Sequence, residues 1–250
     1  GIGDGDPELA QVLDVIATSS DTLLIPTPTV TYTSDQTTGT LSYTPVPDAN
    51  GTATITVTVT DDGNTDGGVG DDNSYSISFD VEVTPVNDEP IADAQPVTAT
   101  EDIEESITLT GSDGDPELTQ TLTYILTALP STGTLSESGN GSVILIGDLP
   151  LTLSNSTIYF TTALNDVDQQ TFDFKVRDNG NTNAGIGDDN ESSDATVTVT
   201  ITPVNDEPII DLVDDPDAIL EDAFEQTINL TGIGDGDPEL AQVLDAIATS

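Results

Sequence analysis

The side chains able to do chemistry in this sequence are almost all carboxylates. Of 250 residues, 47 are Asp or Glu, against two cations, Lys175 and Arg177, for a formal net charge of −45. His and Cys are absent. Without Cys there are no disulfides, thiolate ligands or thiol nucleophiles; without His the commonest general base and the imidazole ligand are gone. What remains is hard-oxygen chemistry. Carboxylates and amide carbonyls select Ca²⁺ over transition metals, and Mg²⁺ less readily because it keeps its waters. Paired carboxylates could also hydrolyse glycosides. Phosphate is repelled by such a charge, which makes nucleic acid and anionic membrane poor partners.

These residues are placed by repeats. The run GIGDGDPELAQVLDVIATS at 1–19 returns at 232–250 with one change, Val15 to Ala246. GDGDPEL at 3–9 returns as SDGDPEL at 112–118, TPVNDEP occurs at 84–90 and 202–208, and DDGNTDGGVGDDN at 61–73 returns as DNGNTNAGIGDDN at 178–190. Modules of about 110–120 residues follow one another. The expected division is 1–88, a module lacking its first strands, 89–206, a complete module, and 207–250, the start of a third. Both ends fall at the same phase in mid-module, which suggests a window on a longer tandem array and explains the lack of a visible secretion signal or anchor. No apolar run approaches the ~20 residues of a membrane-spanning helix.

The elements that must hold the loops are strands. In GTATITVTVTDD, Ala53, Ile55, Val57 and Val59 alternate with Thr52, Thr54, Thr56 and Thr58. Tyr75, Ile77, Phe79, Val81 and Val83 alternate likewise, as do Phe172, Phe174 and Val176, and Val197, Val199 and Ile201. Period-two alternation of β-branched and aromatic residues marks half-buried strands. ELAQVLDVIA is the sole helix-like run, and it is short. Leu, Ile, Val and Phe make up roughly a quarter of the chain, above the ~20 % level of a disordered polyanion. The expected fold is all-β: tandem Greek-key β-sandwich modules of immunoglobulin or cadherin type in series. In the middle module, strands are expected near 93–100, 105–111, 120–127, 170–177 and 194–203, with irregular elements over 133–162.

On that template, four acidic segments converge where modules meet. One set is Glu101 and Asp102, the loop with Asn165, Asp166 and Asp168, the linker residues Asn205, Asp206 and Glu207, and then Asp235, Asp237 and Glu239. The other is Asp48 and Asn50, then Asn87, Asp88 and Glu89, then Asp113, Asp115 and Glu117. Asp4 and Asp6 occupy the same motif in the first module. Clustered carboxylates repel at neutral pH unless a cation sits among them, and Ca²⁺ takes 6–8 oxygens. Asp, Asn, Gly and Pro are equally turn formers, so any single loop also reads as a solvated turn; recurrence in phase is what points to metal. A further candidate is the loop Asp62-Gly63-Asn64-Thr65-Asp66-Gly67 with Asp72. It resembles the first half of an EF-hand but has Asn73 at position twelve; Asp178 begins its counterpart.

VTPVNDEP at the module ends, TED-x-x-x-x-ITLTGSDGDPE after it, and TFDFKVRDNGN before the last strand resemble the cadherin-like tandem repeats of large bacterial surface and secreted proteins. That resemblance implies linker ligands at Asn87, Asp88, Asn205 and Asp206, a first-strand glutamate at Glu101, and Asp-x-Asp ligands at Asp113, Asp115, Asp235 and Asp237. It implies an extracellular, bacterial cell-surface setting and a role in adhesins, biofilm matrix or fibres. The linker is shorter than the animal one, and the loop at 165–168 lacks the family's Asp-Arg-Glu.

The function expected is a Ca²⁺-rigidified structural and adhesive array whose partners are neighbouring modules of the same chain. One alternative is a module binding cell-surface glycans or proteins, disfavoured by only five Tyr and five Phe. Another is a fibre subunit completed head to tail by a neighbour's strands, against which the duplicated 19 residues argue. Catalysis is not expected: a site repeated at every linker, with little aromatic surface for a sugar, does not suit an enzyme.

Overall fold

A computed structural model describes residues 1–5, 11–63, 73–180, 190–240 and 242–249. Its regular structure is almost entirely β. The chain forms two compact units. The first takes in Gly1–Asp88 and Asp115–Thr119, and the second Glu89–Gly114, Gln120–Gly180 and Asp189–Ser250.

In the first unit, β1 (Leu13–Ser19), β4 (Gly51–Asp61) and β5 (Ser74–Val83) form an antiparallel sheet in that order, and β2 (Thr29–Thr31) pairs with β3 (Thr40–Ser42). Ala17, Ala53 and Ile55 from the sheet join Leu24 and Ile25 in a small core, with Val30 and Leu41 of the hairpin against it. The helix-like run at 8–17 therefore ends as strand from Leu13 onward, because β4 offers a hydrogen-bonding edge: Val15 pairs with Val59 and Ala17 with Val57.

The second unit holds β6 (Ile91–Ala92), β7 (Gln95–Thr100), β8 (Glu105–Thr108), β9 (Gly111–Ser112), β10 (Thr123–Ala128), β11 (Thr134–Ser136), β12 (Leu151–Thr152), β13 (Thr157–Thr161), β14 (Gln170–Arg177) and β15 (Ala195–Thr202). Five strands run in the order β12-β10-β14-β15-β7 and three in the order β11-β13-β8, with β6 paired to β9. Alternation along β14 and β15 buries Phe172, Phe174, Val176, Val197 and Val199. These face Ile107, Leu135, Ile158 and Phe160 from the smaller sheet in one core. This is a β-sandwich. Its first long strand, β7, adds parallel to its last, β15, with Val97 opposite Val199. The first unit repeats part of the framework: Tyr124 pairs with Val176 and Leu126 with Phe174, as Val15 does with Val59 and Ala17 with Val57.

The two cations are used internally. Lys175 and Arg177, both on β14, pair with Glu191, and hydrogen bonding to Lys175, then to Arg177, holds its carboxyl below the usual range. Among the described residues no helix is long and apolar enough to cross a membrane.

Candidate metal centre

The first aspartate of the Asp-x-Asp loop makes the same tie at all three copies. Asp113 Oδ2 accepts the Gln120 amide at 2.7 Å, Asp235 Oδ2 the Gln242 amide at 3.0 Å, and Asp4 Oδ2 the Gln11 amide at 3.2 Å. The second aspartate caps a tight turn. Asp115 Oδ1 accepts the amides of Glu117 and Leu118, both at 3.0 Å, and Asp237 Oδ1 those of Glu239 and Leu240 at 3.1 and 2.8 Å. Such Asx turns fix a carboxylate before any ligand arrives. Pinning the glutamate two residues on brings its side chain back beside the aspartate.

Glycine lets the linker reach this loop. Gly114 has φ +75°, and a Cβ there would lie 2.1 Å from the Glu89 carbonyl oxygen; Gly236 has φ +77°, and its Cβ would lie 2.0 Å from the Glu207 oxygen. Close approach of the backbone carries Asp88, the residue before Glu89, to the first loop. Gly236→Ala is expected to destabilise the second unit by at least the ~1–2 kcal/mol of a left-handed non-glycine residue, with the clash adding to it. Thermal melting of the variant checks this; an unchanged midpoint contradicts it.

The result is a trio. Ligand oxygens of Asp88, Asp115 and Glu117 all lie within 4.8 Å of one another. Asp115 is buried and Asp88 and Glu117 are half-buried. Burial, then Asp48, then Asp115 push the Asp88 carboxyl up; burial, then Asp115, push Glu117 up. Glu117 Oε2 is buried with no hydrogen-bond partner. Among the described residues Asp88, Asp115 and Glu117 are the one trio so closely grouped; at the second copy of the loop it is Glu101 whose charge acts on Glu239. Glu101, 1 % exposed, accepts the Val204 amide on Oε2 at 3.2 Å, while its Oε1 has no partner. Both carboxylate oxygens of Glu239 are likewise buried and unpartnered. Burial, then the Glu101 charge, raise the Glu239 carboxyl. Burial also acts upward on Asp237, but the Leu240 amide, the Gln242 side chain and the Glu239 amide outweigh it and hold Asp237 low. Buried carboxylate oxygens facing one another without donors are the pattern a hard cation relieves, and this donor set is entirely oxygen.

Raised carboxyl values have a definite sign. The folded state binds protons more tightly than the unfolded one, so the metal-free cluster is least stable above the folded values and gains stability as pH falls toward the ordinary values, 3.8 for Asp and 4.5 for Glu. In chelator, melting temperature is expected to rise on mild acidification, and Glu117→Gln to reduce that rise. Equal pH slopes in the two proteins would refute the cluster's contribution.

Other predicted ligands are placed differently. The Asn87 and Asn205 side-chain amides donate to the Asp88 and Asp206 carbonyls at 3.1 and 3.0 Å, Asn87 buried and Asn205 exposed. Asp48 is exposed at φ 55° and acts on Asp88 through its charge. Asp206 is half-buried; Asn50, Glu89, Asp102, Asp168 and Glu207 are exposed. Asp166 is committed within its own loop, accepting from the Asp168 amide at 3.0 Å, the Gln170 side chain at 3.3 Å and the Thr132 hydroxyl. Asp62 Oδ1 accepts the Val12 amide at 2.8 Å, and Asn179 Oδ1 does the same for Thr121, also at 2.8 Å. That position thus works as a strand tie for which charge is unnecessary. Asp178 is buried and accepts the Gly180 amide at 2.9 Å. Asp6, Asn64, Asp66 and Asp72 lie outside the described residues. Gln242, which the acidic pattern does not mark, donates its side-chain amide to Asp237 Oδ2 at 2.9 Å. The signal was the Gln that recurs at 11, 120 and 242, in phase with the aspartates.

No protein-family model matches the chain, and no curated protein matches it at a significant level. Among solved structures the chain is similar to EC1-2 of human mucin-like protocadherin, with 17 % identity, 79 % of this chain and 86 % of that chain covered, and a TM-score of 0.39. It is also similar to EC1-3 of mouse protocadherin-24, with 15 % identity, coverage of 60 % and 46 %, and a TM-score of 0.33. Domains 4 and 5 of the S-layer protein SbsC give 17 % identity, coverage of 75 % and 70 %, and a TM-score of 0.24. This chain therefore spans less than half of the protocadherin-24 structure.

Proposed function

We propose that the protein is an extracellular structural and adhesive β-module protein, rigidified by Ca²⁺ held between its Val-Asn-Asp-Glu-Pro linkers and the Asp-x-Asp-Pro-Glu loops that follow them. Asp88, Asp115 and Glu117 hold one ion; Glu101, Asp237 and Glu239, with Asp206 from the linker, hold another. The observation that carries this reading is the repeated set of buried carboxylate oxygens without hydrogen-bond donors at Glu101, Glu117 and Glu239. Its mechanism is electrostatic. Without the ion, like charges repel and the linker is free to bend; with it, linker and loop share ligands and the connection stiffens. Mass action stabilises the folded state as well, because the unfolded chain has no preformed site. Several ions leave most of the −45 charge in place, which keeps the surface solvated.

Small-angle scattering with Ca²⁺ and with chelator tests this. Chelation is expected to broaden the distribution of intramolecular distances, and calorimetry to register Ca²⁺ binding. Superimposable profiles and no binding heat would overturn the reading.

A further inference from the structure

Tyr124 stands at an inward position of β10, opposite Val176 of β14 and packed against the core of the second unit. Alternation asks only for an aliphatic side chain there. Val15 takes that place in the first unit, opposite Val59, and the duplicated run has Ala246. Tyrosine adds a flat ring and a hydroxyl. Phe174 backs the ring, with centroids 6.3 Å apart and planes tilted by 32°, and has no exposed surface itself. Tyr124 is half-buried, so part of its ring stays open. Burial, then the Asp93 charge, push its phenol upward, which keeps it a neutral hydrogen-bonding group.

Beside this ring a cleft of about 290 Å³ opens between β10 and the turn before β13, lined by Thr123, Leu153, Ser154, Asn155 and Ser156 as well as Tyr124. The turn is held in place by the protein. The Leu153 amide donates to the Tyr124 carbonyl at 2.9 Å, and the Ser156 carbonyl accepts the Leu109 amide at 2.7 Å. The Ser154 amide donates to Glu137 Oε1 at 2.6 Å, and Asn155 Oδ1 accepts the Thr157 amide at 2.7 Å. That last bond fixes the Asn155 side chain before any guest arrives. Its Nδ2 reaches Ser154 Oγ only at 3.4 Å, and an amide nitrogen has a second proton to give. Leu153 is buried beneath the cleft, while Ser154 and Asn155 are exposed at its rim.

The chemistry of the lining selects the guest. Its side chains are uncharged, in a chain of 250 residues with 47 Asp and Glu. A cation finds no counter-charge inside, and an anion is repelled by the field of the whole chain. A purely apolar guest would leave hydroxyls and an amide without partners. What suits the cleft is a neutral molecule with one apolar face and a rim of hydroxyls. The volume lies at the small end of ligand sites, roughly 300–1,000 Å³, and so suits one ring rather than a chain of them. We propose that this cleft binds a neutral hexopyranose unit, with the C–H face of the sugar on Tyr124 and Leu153 and its hydroxyls on Ser154, Asn155 and Ser156. Five Tyr and five Phe are too few for a broad stacking platform, but one sugar ring needs one aromatic. The site is independent of the calcium reading, and it gives the second unit a recognition role that Val15 and Ala246 deny the other two copies.

Saturation-transfer NMR of the full chain tests this, with glucose, galactose, mannose and N-acetylglucosamine each at millimolar concentration and galacturonic acid as the charged control. At least one neutral sugar is expected to receive saturation, strongest at the protons of one ring face, and galacturonic acid to receive none. Asn155→Asp keeps an oxygen for the Thr157 amide but removes the donor and places a charge at the rim. Affinity should fall roughly five- to ten-fold, the effect of one hydrogen bond. Tyr124→Val, which restores the side chain of the first unit, should abolish the transfer. Circular dichroism reports whether each variant is folded; if Tyr124→Val is not, Asn155→Asp decides. No saturation of any of the four neutral sugars, equal saturation of galacturonic acid, or an affinity unchanged in the folded variants would overturn the proposal.

Discussion

Phe174→Ala is expected to lower the stability of the second unit by about 3–5 kcal/mol, the range for removing a fully buried aromatic ring. Phe174 has no exposed surface. It sits on β14, opposite Leu126 of β10, with the Tyr124 ring 6.3 Å away between centroids. Strands on both sides leave little room for collapse, so the cavity persists and its lining loses contacts outright. The repeat provides an internal control. Val57 holds the same place in the first unit, pairing with Ala17 as Phe174 pairs with Leu126, but it is only half-buried. Val57→Ala should therefore cost much less, about 1 kcal/mol for two methyl groups incompletely removed from water. Urea melts of both variants check the contrast; equal losses would contradict this picture of one complete and one open core.

Asp115→Asn should separate the aspartate's two roles. Its Oδ1 accepts two backbone amides, and the asparagine carbonyl can accept the same bonds, so the turn is preserved. One negative charge is removed from a trio whose oxygens lie within 4.8 Å. In chelator the variant should be at least as stable as the parent, because the charges that raise Asp88 and Glu117 include Asp115. In Ca²⁺ it should lose the added stability and bind the ion roughly ten-fold or more weakly, since affinity follows ligand charge. Asp115→Ala should lose stability in both conditions, about 1–3 kcal/mol from amides left without an acceptor. An asparagine variant whose calcium response matches the parent would exclude Asp115 as a ligand.

Much of the sandwich was legible because alternation and burial are the same fact seen twice. Strands near 170–177 and 194–203 are expected from Phe172, Phe174, Val176, Val197, Val199 and Ile201, and they occur at Gln170–Arg177 and Ala195–Thr202. Legibility ran out where a residue's job depends on its partner. Asp62 is expected as a metal ligand, and in the fold its Oδ1 holds the Val12 amide, as the neutral Asn179 holds Thr121. Asp166 is expected as a junction ligand, and in the fold it accepts from Thr132, Asp168 and Gln170. Composition cannot distinguish a carboxylate that caps a loop from one with an unpartnered oxygen. That depends on which amides come within reach.

The duplicated run marks the boundary most sharply. Leu13 to Ser19 is a strand beside β4, Leu13 opposite Asp61 and Ser19 opposite Ile55, with Leu13 8 % exposed. Sequence by itself determined that these residues alternate, that the aspartates recur in phase, and that any ion held here would be bound by oxygen. Tertiary structure alone decided that the helix-like run pairs as a strand and which carboxylates are left buried without donors. A strand needs a neighbour to take its backbone hydrogen bonds, and a buried charge needs a partner; neither neighbour nor partner lies within the segment that requires it.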